Sequence, residues 1–457
     1  MPGIVFAPYD VNNRAWNEGG AKEQNERAAY INTRWAYYDG NHHRWLRVAK
    51  GEKDDNVIIN LCGRSVDKTV EFIGCPEKVY VDGDPDTQST ANTWLAQAWE
   101  EYEYEFSDLV LSGLIAGHSF IKLYFDTTGQ GAMIALDPTY CVVFWDGMNT
   151  KVPLFYRLQW KSGDTVYRQD IVPSFMLQEN QDQNANGRVA TYWMIFDYTE
   201  DRGGTGKWIQ RSEQKWEYPF APLIEWSYKR RPHKYYGVSF LHNAIPLNDV
   251  LNFVASNTAR ILKHHAHPKT FVFGAMVDGD NAVGGIWDGL PADARVETLE
   301  LTSDLRSSLS MMEILRAEFF ANSRVVDTAS ISDKLGQITN FGVQMLYSDM
   351  IEMTDYYRES IERGFSEVLR RVAELNKVVI PTRPELEWPE VLPQNRLELV
   401  QAAQAEKDLG TTSLRTLTRS IGRDPEAESE LKASEGASSI DATLSAFEAM
   451  GNRGLFS

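Results

Sequence analysis

The sequence predicts an α+β protein, in which a helical and β-rich first half is followed by helices arranged around one small β segment. Three observations carry this reading. Between about residue 120 and residue 226, short runs such as "MIALDP", "YCVVFWDG", "LFYRLQW", "ATYWMIFDYT" and "KWIQRSE" alternate between Gly, Asn and Asp turns, as half-buried strands do. Beyond residue 243 the apolar period changes to three-four, the spacing of helices. The last of these helices keeps that spacing from Val343 through Met350, Tyr357, Phe365 and Val372 to Leu375. It covers about 35 residues, or roughly 50 Å, which few globular domains need.

Taken in order, residues 15 to 50 show helical spacing through Ala28, Ile31, Trp35 and Tyr38. In "NVIINLCGRSVDKTVEFI" the positions Val66, Val70 and Ile73 share a helix face, and Gly74 and Pro76 end it. "KVYVDGD" reads as a short strand into a turn. "TANTWLAQAWEEYEYEFSDLVLSGLIAGHSFIKLYF" reads as one or two helices, broken by Gly117, that run into a strand. After the β-rich stretch, "PLNDVLNFVASNTARILKHH" has apolar Val250, Leu251, Val254, Ile261 and Leu262 around a polar gap at Asn257 and Thr258. Asn248 or Asp249 is the expected N-cap, and Pro268 sets the helix end. "TFVFGAMVDGDNAVGGIWDGLPADARVETLEL" holds short strands and many glycines. "SDLRSSLSMMEILRAEFFANSRVV" is a second helix, with Leu305, Leu309, Met312, Leu315 and Phe319 on one stripe. A polar loop then leads into the long helix. The tail is a helix stopped at Gly410, a short Thr/Ser-capped helix, an acidic end, and a Ser-, Ala- and Gly-rich terminus expected to be mobile.

Composition narrows the function classes. In 457 residues there is room for two or three domains, and no stretch approaches the ~20 apolar residues of a membrane span. The start, "MPGIVFAPYD", lacks the pattern of a signal peptide. Cys62, Cys75 and Cys141, odd in number and without CxxC spacing, fit a reducing compartment and exclude a disulfide framework. A net charge of -18 opposes tight gripping of nucleic acid, so any DNA contact should be weak or local.

Motifs for catalysis are not found. "GGTGKW" at 203–208 resembles a phosphate loop, but Asp201 stands where the first glycine belongs and Trp208 where Ser or Thr belongs, so it reads as a hairpin turn. His118 and Ser119 are neighbours entering a strand and point to opposite faces. "YKRRPHKYY" at 228–236 mixes cations with aromatics as single-stranded nucleic-acid binders do; in so acidic a chain it reads as a solvated turn or a subunit contact. "KHHAHPKT" places His264 and His267 on one helix face and His265 about 100° away. No Cys, Asp or Glu nearby completes a metal sphere, so the cluster reads as a cationic helix end meeting the helix dipole.

The order of these parts carries a resemblance, together with "NLCGRSVDKTVEFIG", "LSGLIAGHSFIKLYFD", "LDPTYCVVFWD", "YGVSFLHNAIPLNDVLNFVASN" and "WPEVLPQNRLELVQAAQAEKDLGTTSLRTLTRSIGRDPEAESE". The chain resembles the portal proteins of tailed bacteriophages, of the type with a clip between two stem helices. The similarity runs from about residue 30 to 435, with a short crown, and rests on the ordered set. It implies a portal fold: a mixed α/β wing, a two-helix stem, a small β-containing clip, a long wing helix and a helical crown. The implied divisions are N-terminal arm and wing 1–242, stem helix one 243–267, clip 268–303, stem helix two 304–325, tunnel loop 326–340, long wing helix 341–377, return to wing and crown 378–435, and tail 436–457.

The resemblance further implies a homo-oligomeric ring, usually of twelve subunits, at one capsid vertex of the virion, assembled in the host cytoplasm. Double-stranded DNA would pass through its channel during packaging and ejection. The implied partners are the major capsid protein, a scaffolding protein, the terminase large subunit on the clip and, later, a head-tail adaptor. No membrane, cofactor, metal or catalysis is implied. Thr328, Ser330, Ser332, Asp333, Lys334 and Gln337 would lie in the tunnel loop, a polar segment with too few apolar residues to bury it, projecting toward the axis. Lys263, His264, His265, His267 and Lys269 would form the stem foot beside the clip, whose strands are expected to pair between subunits because so small a piece has no core. Two other classes stay open: another ring-shaped head-tail connector, which is usually far shorter, and a DNA-processing enzyme, which needs a carboxylate cluster for metal ions.

Overall fold

The computed structural model describes residues 3–4, 7–48, 50–51, 53–82, 85–147, 149–177, 189–201, 207–266, 270–273, 295–298, 305–331, 340–392, 396–410, 412–420, 423, 428–429 and 431–433. The chain divides into two units, one of residues 1–337 with 345–389 and the other of 338–344 with 390–457.

The first unit begins with β1 (Gly3–Ile4) and three helices, α1 (Arg14–Tyr38), α2 (Leu61–Ile73) and α3 (Pro85–Ala116), with β2 (Lys78–Tyr80) before the third. Asn13 and Asn60 cap α1 and α2 by accepting from Trp16 N and Gly63 N. Helix α2 stops at Gly74, whose φ of 70° suits glycine. Helix α3 is unbroken, and buries Leu95, Trp99, Tyr102, Phe106, Val110 and Leu114 on one face. It passes through Gly113, where a Cβ would stand 2.1 Å from the Tyr228 ring.

The alternating runs form two sheets. The larger has the order β1-β5-β6-β7-β8-β9, where β5 is Cys141–Asp146, β6 Asn149–Ser162, β7 Thr165–Pro173, β8 Trp193–Glu200 and β9 Trp208–Trp216. All its neighbours are antiparallel except β1 with β5. The glycine-rich "GGTGKW" stretch connects β8 to β9 with Glu200 opposite Trp208, a hairpin connection whose residues 202–206 lie outside the described residues. The smaller sheet has the order β10-β3-β4, from Leu223–Ser227, His118–Phe125 and Gly131–Leu136.

A charged cluster is buried inside the larger sheet. Asp170 on β7 is fully buried and accepts from Arg157 at 2.9 and 3.2 Å, from Arg168, and from the Tyr9 hydroxyl at 2.7 Å. Arg168 also donates to Asn17 at 2.9 Å, so the cluster ties the N-terminal arm and α1 to the sheet. Burial works to raise the Asp170 carboxyl; Arg157 and Arg168 overcome it and hold the group down at about 2.

The second half supplies α4 (Ala244–Ala266), β11 (Thr270–Phe273), β12 (Arg295–Thr298), α5 (Leu305–Ser323), α6 (Thr328–Ile331), α7 (Asn340–Leu375) and β13 (Glu385–Glu387). Helix α4 starts earlier than the expected cap at Asn248 or Asp249. Pro246 sits in its first turn, where a missing N–H is harmless. Strands β11 and β12, at the two ends of the expected clip 268–303, pair antiparallel with each other within one chain. Helix α7 buries Met350, Tyr357, Ile361, Phe365, Val368 and Val372, with Phe365 edge-on to Phe106 at 5.2 Å. Strand β13 then pairs with β2, returning the chain to its first third.

In the second unit, α8 (Arg396–Leu409) ends at Gly410, with φ of 68°, and Ser413 caps α9 (Leu414–Ser420) by accepting from Thr416 N at 3.2 Å. The terminus expected to be mobile, 436–457, lies outside the described residues.

Asp170→Asn should cost about 3–5 kcal/mol, because two buried guanidiniums lose their counter-charge. The Asp170 contribution is present above the unfolded carboxyl value near 4 and is lost as pH falls toward 2. Urea titrations from pH 7 to pH 3 should show a large deficit for the variant at neutral pH that shrinks in acid.

Candidate functional site

Helix α4 carries a polar residue at every fourth position: Asn248, Asn252, Ser256 and Arg260. The segment leading into α2 presents alternate backbone amides to it. Leu61 N donates to Asn248 Oδ1 at 3.1 Å, Ile59 N to Asn252 Oδ1 at 2.9 Å, and Val57 N to Ser256 Oγ at 2.9 Å. Asn248 Nδ2 returns a bond to Ile59 O at 2.9 Å. Four helical residues rise about 6 Å and two extended residues about 6.6 Å, so the rungs stay in register. Arg260 closes the ladder on Asp55 with bonds of 2.9 and 2.5 Å.

His42 completes the arrangement. Its Nδ1 accepts from the amides of Asn248 and Asn252, each at 3.2 Å, and its Nε2 donates to Asn60 Oδ1 at 3.1 Å. That pattern needs the neutral ring with its proton on Nε2. One turn away, Tyr37 donates to both oxygens of Asp249 at 2.8 and 2.9 Å.

Helices α4 and α5 pack as an antiparallel pair. At one end β11 and β12 join them with Thr270 opposite Thr298; at the other, Asn243 and Ser323 line one cavity of about 290 Å³. Leu251, Ala255, Leu315 and Phe319 are buried. Val250, Phe253 and Leu262 of α4 and Leu309, Met311 and Ile314 of α5 are 43 to 57% exposed. Trp45, itself 48% exposed, stands edge-on to Phe253 at 6.4 Å. Leu309 thus leaves the buried stripe expected of it: the C-terminal half of α5 buries Leu315, Phe319 and Phe320, and the N-terminal half stays exposed or half-buried.

The structure places the predicted residues unevenly. Lys263 is exposed near the end of α4, close enough to Asp55 to help Arg260, the main cause, hold that carboxyl below its ordinary value. His264 and His265 lie in the last turn of α4; His267 and Lys269 lie outside the described residues. Thr328 opens α6 and is half-buried, and Ser330 belongs to the same short helix. Ser332, Asp333, Lys334 and Gln337 lie outside the described residues. The start of this loop is fixed. Asp327 takes two bonds from Arg316, at 2.7 and 3.0 Å, and one from Ala329 N at 3.2 Å. Lys68 donates to Val326 O at 2.7 Å. Among the described residues no three His, Cys, Asp or Glu side chains gather where a metal could sit, and no helix is long and apolar enough to cross a membrane.

Reading the sequence for apolar spacing missed the polar ladder. The signal was present as the fourfold recurrence of Asn248, Asn252, Ser256 and Arg260. Asn252→Leu should leave Ile59 N–H without a partner and remove a donor from His42, costing about 1–3 kcal/mol. Hydrogen exchange at residues 57–61 should accelerate in the variant while exchange in the β5–β9 sheet stays unchanged.

Residues 21–441 match the phage portal protein family described as SPP1 Gp6-like. Among solved structures, the fold is similar to a chain in the virion of a native gene transfer agent particle, with a TM-score of 0.42, 13% identity, and coverage of 86% of this chain and 99% of that one. It is also similar to a chain in the neck of the empty particle, computed with C6 symmetry, with a TM-score of 0.44, 12% identity, and coverage of 83% and 96%. No curated protein matches the chain in sequence. The match extends over nearly the whole length, and the chain belongs to the SPP1 Gp6-like family of phage portal proteins.

Proposed function

We propose that copies of this chain close into a ring at one capsid vertex, with α4 and α5 as its stem around an axial channel for double-stranded DNA. The observation that carries this is the outward apolar face of the stem pair. The ladder locks one side of α4 to the body, while Val250, Phe253, Leu309, Met311 and Ile314 stay 43 to 57% exposed in the single chain, Phe253 with Trp45 edge-on to it. Exposed apolar surface of this kind marks an interaction site, and a neighbouring copy supplies matching cover. The family is structural, and the work proposed for the ring is conduction, not catalysis.

Charge supports the channel. Each phosphate that a protein neutralises adds affinity through counterion release, so a chain of net charge -18 repels the duplex and lets it slide. Residues 326–340 are the proposed tunnel loop, with Thr328, Ser330, Ser332, Asp333, Lys334 and Gln337 facing DNA and Lys334 as the main phosphate contact. Lys263, His264, His265, His267 and Lys269 are the proposed stem foot. The clip, 268–303, would dock the terminase large subunit and later a head-tail adaptor. The major capsid and scaffolding proteins would hold the ring, of about twelve copies, in the virion shell.

End-on electron micrographs of the purified protein should show rings with an open centre; monomer alone at micromolar concentration across salt conditions would overturn the proposal. Phe253→Asp with Ile314→Asp should keep the monomer folded and raise the concentration needed for assembly by at least about tenfold, because each lost apolar contact removes roughly 1.5–3 kcal/mol.

Shortening the loop within 328–337 should leave rings intact but impair packaging or retention of full-length DNA. Loss of assembly, or normal packaging, would overturn the loop assignment.

A further inference from the structure

The basic, aromatic stretch 228–236 lies outside the stem. Lys229, Arg230, Arg231 and Lys234 are all exposed, and none forms an ion pair among the described residues. They fan from a tight turn in which Lys234 N bonds Arg231 O at 3.2 Å and His233 takes a left-handed backbone with φ of 60°. Against this turn and α1 lies a cavity of about 470 Å³. Its walls are aromatic: Trp145 and Tyr235 stack at 4.8 Å, and the Arg27 guanidinium covers the Tyr236 ring at 3.6 Å. Arg231, His233 and Lys234 line it, against a single acid, Glu23, among the described residues. The local field is positive. His242, also lining the cavity, is held below its ordinary value by burial first and then by Arg34, Arg231 and Lys229.

The outer face of α3 has the complementary character. Glu100, Glu101, Glu103, Glu105 and Asp108 are exposed, and none forms an ion pair among the described residues. In their midst Tyr104 is 84% exposed, the most exposed of the large apolar side chains among the described residues. It cannot turn inward, because Tyr102, Phe106 and Leu109 fill the opposite face of the helix. A tyrosine ringed by carboxylates on the outside is unexplained by the fold of one chain. The aromatic, cation-rimmed cavity is unexplained in the same way.

We infer that Tyr104 of one copy enters the cavity between α1 and the 229–236 turn of the next copy, while Glu101, Glu103 and Glu105 pair with Arg231 and Lys234. The two patches sit on different elements and do not meet within one chain, so their pairing is head-to-tail, the kind of contact that closes into a ring. A rigid tyrosine in an aromatic pocket with arginine at its edge is the composition of an energetic anchor at an interface. The inference rests on the ring reading and adds a polar contact in the wing to the apolar one at the stem.

The test is a charge exchange in the full-length chain, read as the concentration of half-assembly by native mass measurement, with monomer melting temperature as the control for folding. Tyr104→Ala, Arg231→Glu with Lys234→Glu, and Glu103→Lys with Glu105→Lys should each raise that concentration about tenfold or more, and the four-site exchange should bring it back to within about threefold of wild type. Tyr104→Ala keeps the test open if a charge variant does not fold. Assembly like wild type in Tyr104→Ala, or folded charge variants that the exchange fails to rescue, would overturn the contact. So would normal assembly of Arg231→Glu with Lys234→Glu accompanied by loss of binding to a single-stranded oligonucleotide, which would give the turn to nucleic acid. Wild-type protein that forms no ring would sink the ring reading itself; wild-type rings with a stem variant that behaves as expected, but no rescue by the exchange, would sink only the wing contact.

Discussion

The ladder between α4 and the segment before α2 is the constraint on which the placement of the α4–α5 pair depends. An apolar stripe holds a helix to its neighbour by area, which is nearly indifferent to a small rotation or slide. Asn248 and Asn252 each accept from one backbone amide and donate to a second partner, so a slide of one residue would leave buried groups unpaired on both sides. Removing these polar groups from water costs free energy. In return the rotation of α4 is fixed, and with it the direction in which Val250 and Phe253 face. The exposed apolar side of α4 is therefore a consequence of the polar side that the ladder holds.

The same logic fixes α2, which is held at both ends by distant elements. At its start, Asn248 of α4 accepts from Leu61 N, and Asn60 is shared between the cap and His42. At its end, Arg358 of α7 donates to Ile73 O at 2.9 Å and to Phe72 O at 3.3 Å, satisfying carbonyls that a helix terminus leaves open. Ser360, half a turn further on α7, donates to Ser227 O at 2.7 Å, so the long helix also grips the smaller sheet. Helices α4, α2 and α7 and the smaller sheet are thus joined by directional bonds as well as by the core around Phe106 and Phe365. The Asp170 cluster does the equivalent for the N-terminal arm through Tyr9 and Asn17.

Much of this was legible in the sequence wherever one chemistry dominated a periodic run. The β5–β9 strands are set apart by turn residues, α7 keeps three-four spacing for its whole length, and Gly74, Gly117 and Gly410 stop helices where only glycine adopts the backbone with ease. Legibility failed where polar residues did structural work. Asn248 looked like a cap and proved to be a rung, because a cap and a ladder use the same amide and differ only in a partner nearly two hundred residues away. Strand β13 is three residues long and owes its existence to β2, so no local pattern announces it. In the proposed tunnel loop, Asp327 does make the local bond its type favours, to Ala329 N, but its second partner, Arg316, binds the loop's start to α5. Of the histidines of "KHHAHPKT", His264 and His265 fall in the last turn of α4, and His267 lies outside the described residues.

Charge is distributed in a way that composition alone does not reveal. With 64 acidic and 46 basic side chains, copies of this chain repel one another at long range, and association must overcome that repulsion. The proposed stem contact is apolar and is nearly insensitive to ionic strength, whereas the proposed wing contact is built from exposed charges and weakens as salt screens it. Salt also screens the general repulsion, so the two effects oppose each other. A ring held only at the stem would assemble more readily as salt rises. One that also depends on Tyr104 and its carboxylates would do so up to the point where the specific attraction is screened as well. The basic turn at 229–234 is one of several places where cations stay unpaired among the described residues, and the proposed wing contact would give these ones a carboxylate partner on the next copy.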